Sequence, residues 1–209
     1  LGHATDAAEC FRRALSLQPQ NADARYNLGI AELLAAQFES GWKNYEARWQ
    51  TANPVFAGRG FAQPRWRGET LAQRTLLIHA EQGLGDAVQF VRYASLVAQL
   101  GGRIVLECPP PLRRLLGTVD GVGAVIARGE PSPPCDFQIP LMSLPLQMGT
   151  TLQTIPNTVP YLKVPDGIRC TLPAIGPSRL KVGIAWAGNP KHGSDRSRSL
   201  PLAALSPLV

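Results

Sequence analysis

The segment LLIHAEQGLGDAVQFV, residues 76–91, decides the fold of this chain. Its opening apolar run, Leu76-Leu77-Ile78, is typical of a buried strand, and the apolar residues that come after Asp86 recur at helical spacing. Between the two lies the glycine-rich turn Glu81-Gln82-Gly83-Leu84-Gly85-Asp86. The segment therefore predicts a strand, a tight turn and a helix, in that order.

The turn is also a candidate ligand site. Glycine lets the backbone approach a ligand, and the first N–H groups of a helix lack internal partners, which favours an anionic or polyhydroxyl ligand. We interpret Glu81, Gln82, Gly83 and Gly85 as substrate-binding residues and Asp86 as a catalytic base. The alternative is a plain turn whose aspartate caps the helix.

Composition places the chain among globular proteins. Its 209 residues are 44% hydrophobic, which suffices for one large domain or a domain with an appendage. The net charge of +6 comes from 21 basic and 15 acidic residues, without a long basic run. This charge is compatible with nucleotide phosphates and does not indicate nucleic-acid binding.

Cysteines and apolar runs bear on the compartment. Cys10, Cys108, Cys135 and Cys170 lie far apart and form no metal-ligand spacing, so we expect reduced thiols, no metal and a cytoplasmic location. No apolar run approaches the length of a membrane span, and no signal peptide opens the chain. Because the chain starts without Met and stops soon after a predicted strand, we expect it to be a fragment.

The first 50 residues are predicted to be helical and repeated. Ala7, Phe11 and Ala14 recur at helical spacing and Pro19 closes the pattern, as in the second helix of a tetratricopeptide repeat (TPR). One repeat further along the chain, Leu28-Gly29 occupies the position of the leucine-glycine pair in the first helix of the next repeat. The small residue there lets the two helices of the repeat pack closely. The alternative is a plain helical hairpin.

The next predicted helix, Phe38 to Trp49, departs from the repeat. Arg48 occupies a position where the repeat has a small residue, so we interpret this helix as a degenerate repeat that caps an array, with more repeats expected before residue 1. Trp42, Tyr45 and Trp49 form one stripe at i, i+3 and i+7. We expect the stripe to pack against the domain C-terminal to it.

Residues 51–74 are rich in proline and glycine and show no sustained periodicity, which predicts a linker or extended arm. Phe56, Phe61 and Trp66 would be costly to leave in water. We therefore expect the arm to lie across a surface and to tie the helices to the domain that begins at residue 75.

From Thr75 onward, strands and helices alternate. The predicted strands are Leu76–His79, Arg103–Cys108, Val122–Ala127 and Phe137–Ile139, and the predicted helices are Asp86–Leu100, Pro111–Gly117 and Leu141–Met148. This alternation predicts a parallel sheet with helices on both faces. In such sheets ligands bind beyond the carboxyl ends of the strands, where the glycine turn lies.

A second linker, residues 165–179, precedes another predicted strand, Leu180–Ala187, and a polar, basic loop. We interpret this loop as a site for the phosphates of a donor, formed by Asn189, Lys191, Ser194, Arg196, Arg198 and Ser199. The alternative is a solvated loop whose charges bind nothing specific.

Three runs together carry a resemblance: HAEQGLGDAVQFVRYASLVAQLGGRIVLECPPPLRRLL, VIARGEPSPPCDFQIPLMSLPLQMGTTLQTIPNTVPYL and KVGIAWAGNPKHGSDRSRSLPL. In this order they resemble bacterial proteins that join TPRs to a family 9-like glycosyltransferase domain, a family that includes the heptosyltransferases. The architecture more distantly resembles O-linked N-acetylglucosamine transferase. The resemblance covers essentially the whole chain and is specific in the combination of segments.

The resemblance implies an α/β fold with an N-terminal all-α part. Residues 1–50 would be TPR-like, 51–74 an arm, 75–178 the Rossmann-like acceptor-side domain of a GT-B fold, and 179–209 the start of the donor-side domain. It implies an inverting, metal-independent transferase whose partners are a nucleotide-sugar donor, a protein or glycan acceptor and a protein bound through the TPR helices. No cofactor is implied.

The family also implies roles for the two loops. Its first-loop Gly-Asp supplies a proposed base in the heptosyltransferases, which matches Asp86, and its donor loop stabilises the leaving diphosphate. This chain ends before the later half of a donor domain, so we expect it to be inactive alone. Heptosyltransferases lack fused repeats, so neither heptose nor lipopolysaccharide is implied. The alternative is a non-catalytic TPR interaction module with a degenerate Rossmann-like scaffold.

Overall fold

A computed structural model describes residues 3–56, 58–169, 182–190, 193 and 195–208. The chain divides into two compact units, Leu1–Ile168 and Arg169–Val209. The first contains an N-terminal helical part and then a parallel α/β sheet. The domain boundaries proposed near residues 50, 74 and 178 stay predictions.

Three helices open the first unit: α1 (Ala4–Leu17), α2 (Ala22–Leu34) and α3 (Phe38–Tyr45). Asn21 caps α2, because its side chain accepts a hydrogen bond of 2.8 Å from the Ala24 N–H. The predicted close approach at Gly29 is confirmed, since a Cβ there would lie 2.4 Å from the Tyr45 backbone nitrogen. A glycine at this position lets α2 and α3 pack backbone to backbone.

The third helix is shorter than predicted, because a 3-10 turn, Glu46–Gln50, comes after Tyr45. The Arg48 guanidinium donates a hydrogen bond of 3.3 Å to the Tyr45 carbonyl, where the helix passes into the 3-10 turn. The predicted packing of the aromatic stripe is confirmed for its first part. Trp42 and Tyr45 are buried with Met142, and the Trp42 and Phe90 ring centroids are 6.0 Å apart.

Four parallel strands form the sheet in the order β3-β2-β1-β4. They are β1 (Thr75–His79), β2 (Arg103–Cys108), β3 (Val122–Ala127) and β4 (Phe137–Pro140). All four strands were predicted from the sequence within one residue at either end. Their apolar runs mark them because a parallel strand is buried on both faces.

The helices of this region are α4 (Leu84–Phe90), α5 (Arg92–Ala98), α6 (Arg113–Leu116) and α7 (Leu144–Gln147), with 3-10 turns Pro110–Leu112 and Leu141–Ser143. The single helix predicted over residues 86–100 is thus two short helices. The chain tightens at Val91, whose carbonyl accepts from the Ala94 N–H three residues onward.

One face of the sheet is apolar and covered by helices. Its side chains form one core with α4, α5 and α6, in which the strands contribute Leu76, Ile78, Ile104, Leu106 and Ile139. The prediction of helices on both faces is wrong. The connection from β3 to β4, residues 128–136, contains no helix, because Pro131, Pro133 and Pro134 remove backbone donors and obstruct helical turns.

The arm was expected to lie across a surface, and the structure places it on the opposite face of the sheet, where Arg59 contacts Glu107 and Phe61 contacts His79. Around Arg65 the arm pairs with the edge of β4: the Trp66 N–H donates to the Gln138 carbonyl at 2.9 Å, and the Gln138 N–H donates to the Pro64 carbonyl at 3.0 Å. Phe56 is buried, and Trp66 is buried in the core of the helix-covered face. The arm therefore joins the helices to the sheet through backbone hydrogen bonds and apolar packing.

In the second unit, the strand predicted over Leu180–Ala187 is not formed by the residues that the structure describes there, Val182–Ala187. A strand requires a neighbour to pair with, and the described residues of this unit, 182–190, 193 and 195–208, include none. Val182 is accordingly 68% exposed. Among the described residues of this unit, two 3-10 turns form, Asp195–Ser197 and Leu202–Leu208.

Within the described residues, no helix combines the length and the apolar character needed to cross a membrane. Cys10, Cys108 and Cys135 carry free thiols, as predicted, and Cys170 lies outside the described residues.

Candidate functional site

A cavity of about 420 Å³ lies at the carboxyl ends of β1 and β4, beneath the arm. From β1 the chain proceeds outward through β2 and β3, and then β4 returns to the other side of β1. This reversal of strand order is the place where open α/β sheets bind ligands. Six of the lining residues carry the chemistry: Trp49, Arg59, Phe61, His79, Arg128 and Gln138.

His79 ends β1 and lies against the cavity with only 4% of its surface exposed. Its Nε2 is 3.0 Å from the Gln138 Oε1, and the Phe61 ring lies over it with centroids 4.4 Å apart. Its Nδ1 is buried without a hydrogen-bond partner. Burial lowers the His79 pKa to about 4, with the nearby Arg59 acting in the same direction, so the imidazole is neutral at pH 7.

Three arginines line the cavity. Arg59 makes two hydrogen bonds to the buried Glu107 carboxylate, one of 2.7 Å, and Arg65 pairs with Glu46. Arg128 donates to the Ala80 carbonyl. In the part of the chain that the structure describes, no carboxylate lies within ion-pair distance of Arg128, so its charge is not balanced by a salt bridge.

A buried polar network adjoins the cavity and is centred on Arg48, whose side chain is 0% exposed. Arg48 donates to Glu81 at 3.2 Å, to Ser143 at 2.7 Å and to Glu46 at 2.6 Å. Burial raises the pKa of the Glu81 carboxyl, and Arg48 opposes that rise. The network links the helical part to the loops that come after β1 and β4.

The guanidinium group of Arg48 also lies between two rings of the aromatic stripe. It is 4.5 Å from the Tyr45 ring centroid and 4.6 Å from the Trp49 centroid. Stacking on aromatic faces favours a desolvated guanidinium. Trp49 therefore contacts the network and also lines the cavity.

The predicted substrate-binding turn is divided between two environments. Glu81 lines the cavity, but its carboxylate is held by Arg48 and by the Met142 N–H at 3.2 Å. Gln82 donates to the Tyr45 hydroxyl at 2.6 Å. Both side chains are thus occupied by contacts within the protein.

The rest of the turn begins α4. The Asp86 Oδ2 accepts from the Gly83 N–H at 3.0 Å, which is the helix-capping contact that the simpler alternative predicted. Asp86 is partly exposed and does not line the cavity. A Cβ on Gly83 would lie 3.1 Å from the Asp86 carboxylate, whereas one on Gly85 would have open space around it.

The predicted donor loop closes on itself. Ser199 donates to the Asp195 carboxylate at 2.6 Å and accepts from the Gly188 N–H at 2.9 Å, and the Leu200 N–H donates to the Trp186 carbonyl at 2.8 Å. These contacts hold the ends of the loop together.

The basic residues of this loop face solvent where the structure describes them. Arg196 and Arg198 are exposed, and so is Asn189. Lys191 and Ser194 lie outside the described residues. The assignment of a donor phosphate site to this loop stays a prediction.

Of the residues that line the cavity, sequence reasoning identified Glu81 and missed the others. His79 had one signal, as the polar residue that ends an apolar strand, and Arg48 had another, as the residue that breaks the repeat pattern. Arg128 had none. Across the described residues, no group of three or more His, Cys, Asp or Glu side chains is placed to hold a metal ion.

Residues 1–33 match the family model described as TPR repeat. The match covers α1 and nearly all of α2, and a TPR repeat indicates a protein-interaction module. No curated protein and no solved structure matches the chain.

Proposed function

We propose that this chain carries the acceptor-side half of a GT-B glycosyltransferase, preceded by TPR helices that recruit a protein or glycan acceptor. The observation that carries the proposal is the cavity at the reversal of strand order in a parallel sheet, directly beside the glycine turn that ends β1. Its lining of arginine, histidine and aromatic side chains suits a polar, ring-shaped ligand. The donor in this proposal is a nucleotide sugar, and no cofactor or metal takes part.

Asp86 is the proposed base. Its Oδ2 is held by the Gly83 N–H, and no hydrogen bond joins its Oδ1 to the described part of the chain. In the proposed reaction Asp86 takes the proton of the acceptor hydroxyl while that oxygen bonds to the anomeric carbon. The bond from this carbon to the diphosphate breaks at the same time, and the nucleoside diphosphate leaves with the bonding electrons, which inverts the configuration.

The donor loop would stabilise the departing diphosphate. Arg196 and Arg198 are free to turn toward an anion because both are exposed, and Ser199 fixes the loop through Asp195. Guanidinium groups are suited to this work because they offer several donors to phosphate oxygens. In this proposal Lys191 and Ser194 complete the loop.

The test is release of nucleoside diphosphate from UDP-, GDP- and ADP-sugars by the natural protein that carries this sequence. Asp86→Asn is the sharp variant, because asparagine still accepts from the Gly83 N–H but is not a base. We expect turnover to fall by at least about 100-fold, as for loss of a general base. Asp23→Asn is the matched control, since Asp23 is also an exposed acid in the first turn of a helix. Equal turnover in the two variants would remove Asp86 from the mechanism.

The second candidate is a non-catalytic interaction protein, and the TPR match favours it. In that case the sheet is a scaffold that positions the repeats. An absence of turnover with every donor, together with capture of a protein ligand by α1 and α2, would support the scaffold over the enzyme.

A further inference from the structure

We propose that the cavity beneath the arm binds a small saccharide that carries one anionic group, such as a uronic acid or a sugar phosphate. Its use as an acceptor rests on the proposed function, whereas its binding does not.

Charge balance is the first argument. Four guanidinium groups lie in or beside the cavity, and three of them are paired: Arg48 with Glu81, Arg59 with Glu107 and Arg65 with Glu46. Arg128 is the fourth and has a carbonyl, not a carboxylate, as its partner. A guanidinium has five N–H donors, so donors remain for a ligand. One anionic group on the ligand would balance the site.

His79 requires a different group from the same ligand. The hydrogen bond to the Gln138 oxygen places the imidazole proton on Nε2, so the unpartnered Nδ1 is an acceptor. A buried acceptor without a donor is costly, and a ligand that supplies a hydroxyl relieves that cost. A carboxylate cannot do so because it has no proton to donate. The Phe61 ring, which lies over the imidazole, must shift to admit the hydroxyl.

The aromatic walls favour a sugar ring over a short acid. Trp49 and Phe61 both line the cavity, and the C–H face of a pyranose is an apolar surface that can cover the parts of these rings that the neighbouring arginines leave open. The volume of about 420 Å³ is in the range of small-molecule sites. A sugar ring with one acid group can therefore pair with Arg128, donate a hydroxyl to His79 and cover the aromatic side chains. Inorganic phosphate can pair only with Arg128.

Calorimetric titration of the protein at pH 7 tests this proposal with four probes: glucuronate, glucose 6-phosphate, glucose and inorganic phosphate. We expect at least one of the two anionic sugars to bind at least about tenfold more tightly than glucose or phosphate, since one charge-assisted contact is worth that much. Comparing glucuronate with glucose 6-phosphate identifies which acid the site prefers. Glucose binding as tightly as both, phosphate binding as tightly as both, or no binding by any probe would overturn the proposal.

Variants of the arginines locate the charge effect. Arg128→Gln should lower the affinity for the preferred anionic sugar about tenfold or more and leave weak glucose binding unchanged. Arg103→Gln is the matched control, because Arg103 is an exposed arginine at the opposite end of the same sheet. Urea denaturation checks that each variant folds. Should Arg128→Gln fail to fold, Arg128→Lys keeps the charge but loses the planar fork, and its affinity must still fall.

His79→Phe tests the hydroxyl contact. Phenylalanine keeps a ring against Phe61 but offers no acceptor, so the affinity for the preferred anionic sugar should fall several-fold. Unchanged affinity in a folded His79→Phe protein would remove His79 from the site. Anionic sugar binding without any transfer would refute the proposed function alone, and transfer to acceptors without a preference for negative charge would refute this inference alone.

Discussion

The two faces of the sheet are built from the same four strands but differ in what covers them. On one face Leu76, Ile78 and Leu106 pack against helices that come directly after their strands in sequence. On the other, His79 and Glu107 meet Arg59 and Phe61 from the arm. The first face is held by apolar packing, and the second by ion pairs, aromatic contacts and hydrogen bonds.

This difference separates stability from recognition. Apolar burial is non-directional and depends on the volume and hydrophobicity of the side chains. The helix-covered face therefore stabilises the fold without offering polar groups to a ligand. The arm-covered face bears the polar groups and the cavity, at the cost of an unpartnered histidine nitrogen, and it leaves the exposed Arg128 without a carboxylate partner. Substitutions in each face and in the glycine turn would test this division.

Arg48→Met should have the largest effect on stability. Removal of this guanidinium leaves Glu81 buried without a counter-charge, and such a loss typically costs about 3–5 kcal/mol. The free energy of unfolding from urea denaturation gives the measurement. The double variant Arg48→Met/Glu81→Met should recover most of the loss, because it replaces the pair by apolar side chains. A double variant as unstable as the single one would show that the ion pair is not the cause.

Leu106→Ala probes the helix-covered face and should cost about 3 kcal/mol, since it opens a cavity in a closely packed core. Its control is Val159→Ala at an exposed position, with an expected change below about 0.5 kcal/mol. Binding of the anionic sugar at a temperature where the variant is folded should be unchanged. Lost binding in folded Leu106→Ala would mean that the two faces are coupled.

His79 should make stability depend on pH. Its folded pKa of about 4 lies below the unfolded value of 6.5, so the unfolded state binds more protons between these values. The contribution of His79 to the free energy of unfolding should therefore be constant above about pH 6.5. It should fall by about 3 kcal/mol as the pH is lowered to 4. His79→Phe should remove this fall, while substitution of the exposed His3 to Phe should not. Parallel pH profiles of wild type and His79→Phe would contradict the expectation.

Gly85→Ala should have the smallest effect on the fold. A Cβ at Gly85 meets no atom, so alanine in the first turn of α4 should stabilise the protein by about 0.5 kcal/mol. In the transferase assay the same variant should lose turnover if a ligand approaches this backbone. Gly83→Ala, whose Cβ would crowd the Asp86 carboxylate, should instead destabilise. Full activity in Gly85→Ala would limit the glycine turn to a structural role.

The strands and the arm could be predicted because their signals are local. A run of three apolar residues marks each of β1 and β2, and Trp66 in a proline-rich segment indicates that this part of the arm must be buried. The signal against a helix after β3 was also local, because residues 128–136 contain three prolines. The general expectation that helices cover both faces of a parallel sheet was given more weight than these prolines.

The site could not be predicted in the same way, because its contacts join distant residues. Glu81 looked like a ligand of substrate, yet its partner Arg48 lies 33 positions earlier. Arg59 reaches Glu107 across 48 positions, and His79 reaches Gln138 across 59. The order of the strands and the course of the arm bring these pairs together, and neither can be predicted from a single sequence motif.

The burial of Arg48 also bears on how such a protein can be assembled from parts. Repeat arrays usually gain and lose units freely, because each unit contacts only its neighbours. Here the segment next to the sheet carries Arg48, which pairs with Glu46 of its own segment and with Glu81 in the loop after β1, so a change of this residue alters both parts of the protein. A change of repeats upstream of α3 leaves the contact between Arg48 and Glu81 in place, whereas a small residue at position 48 would remove it.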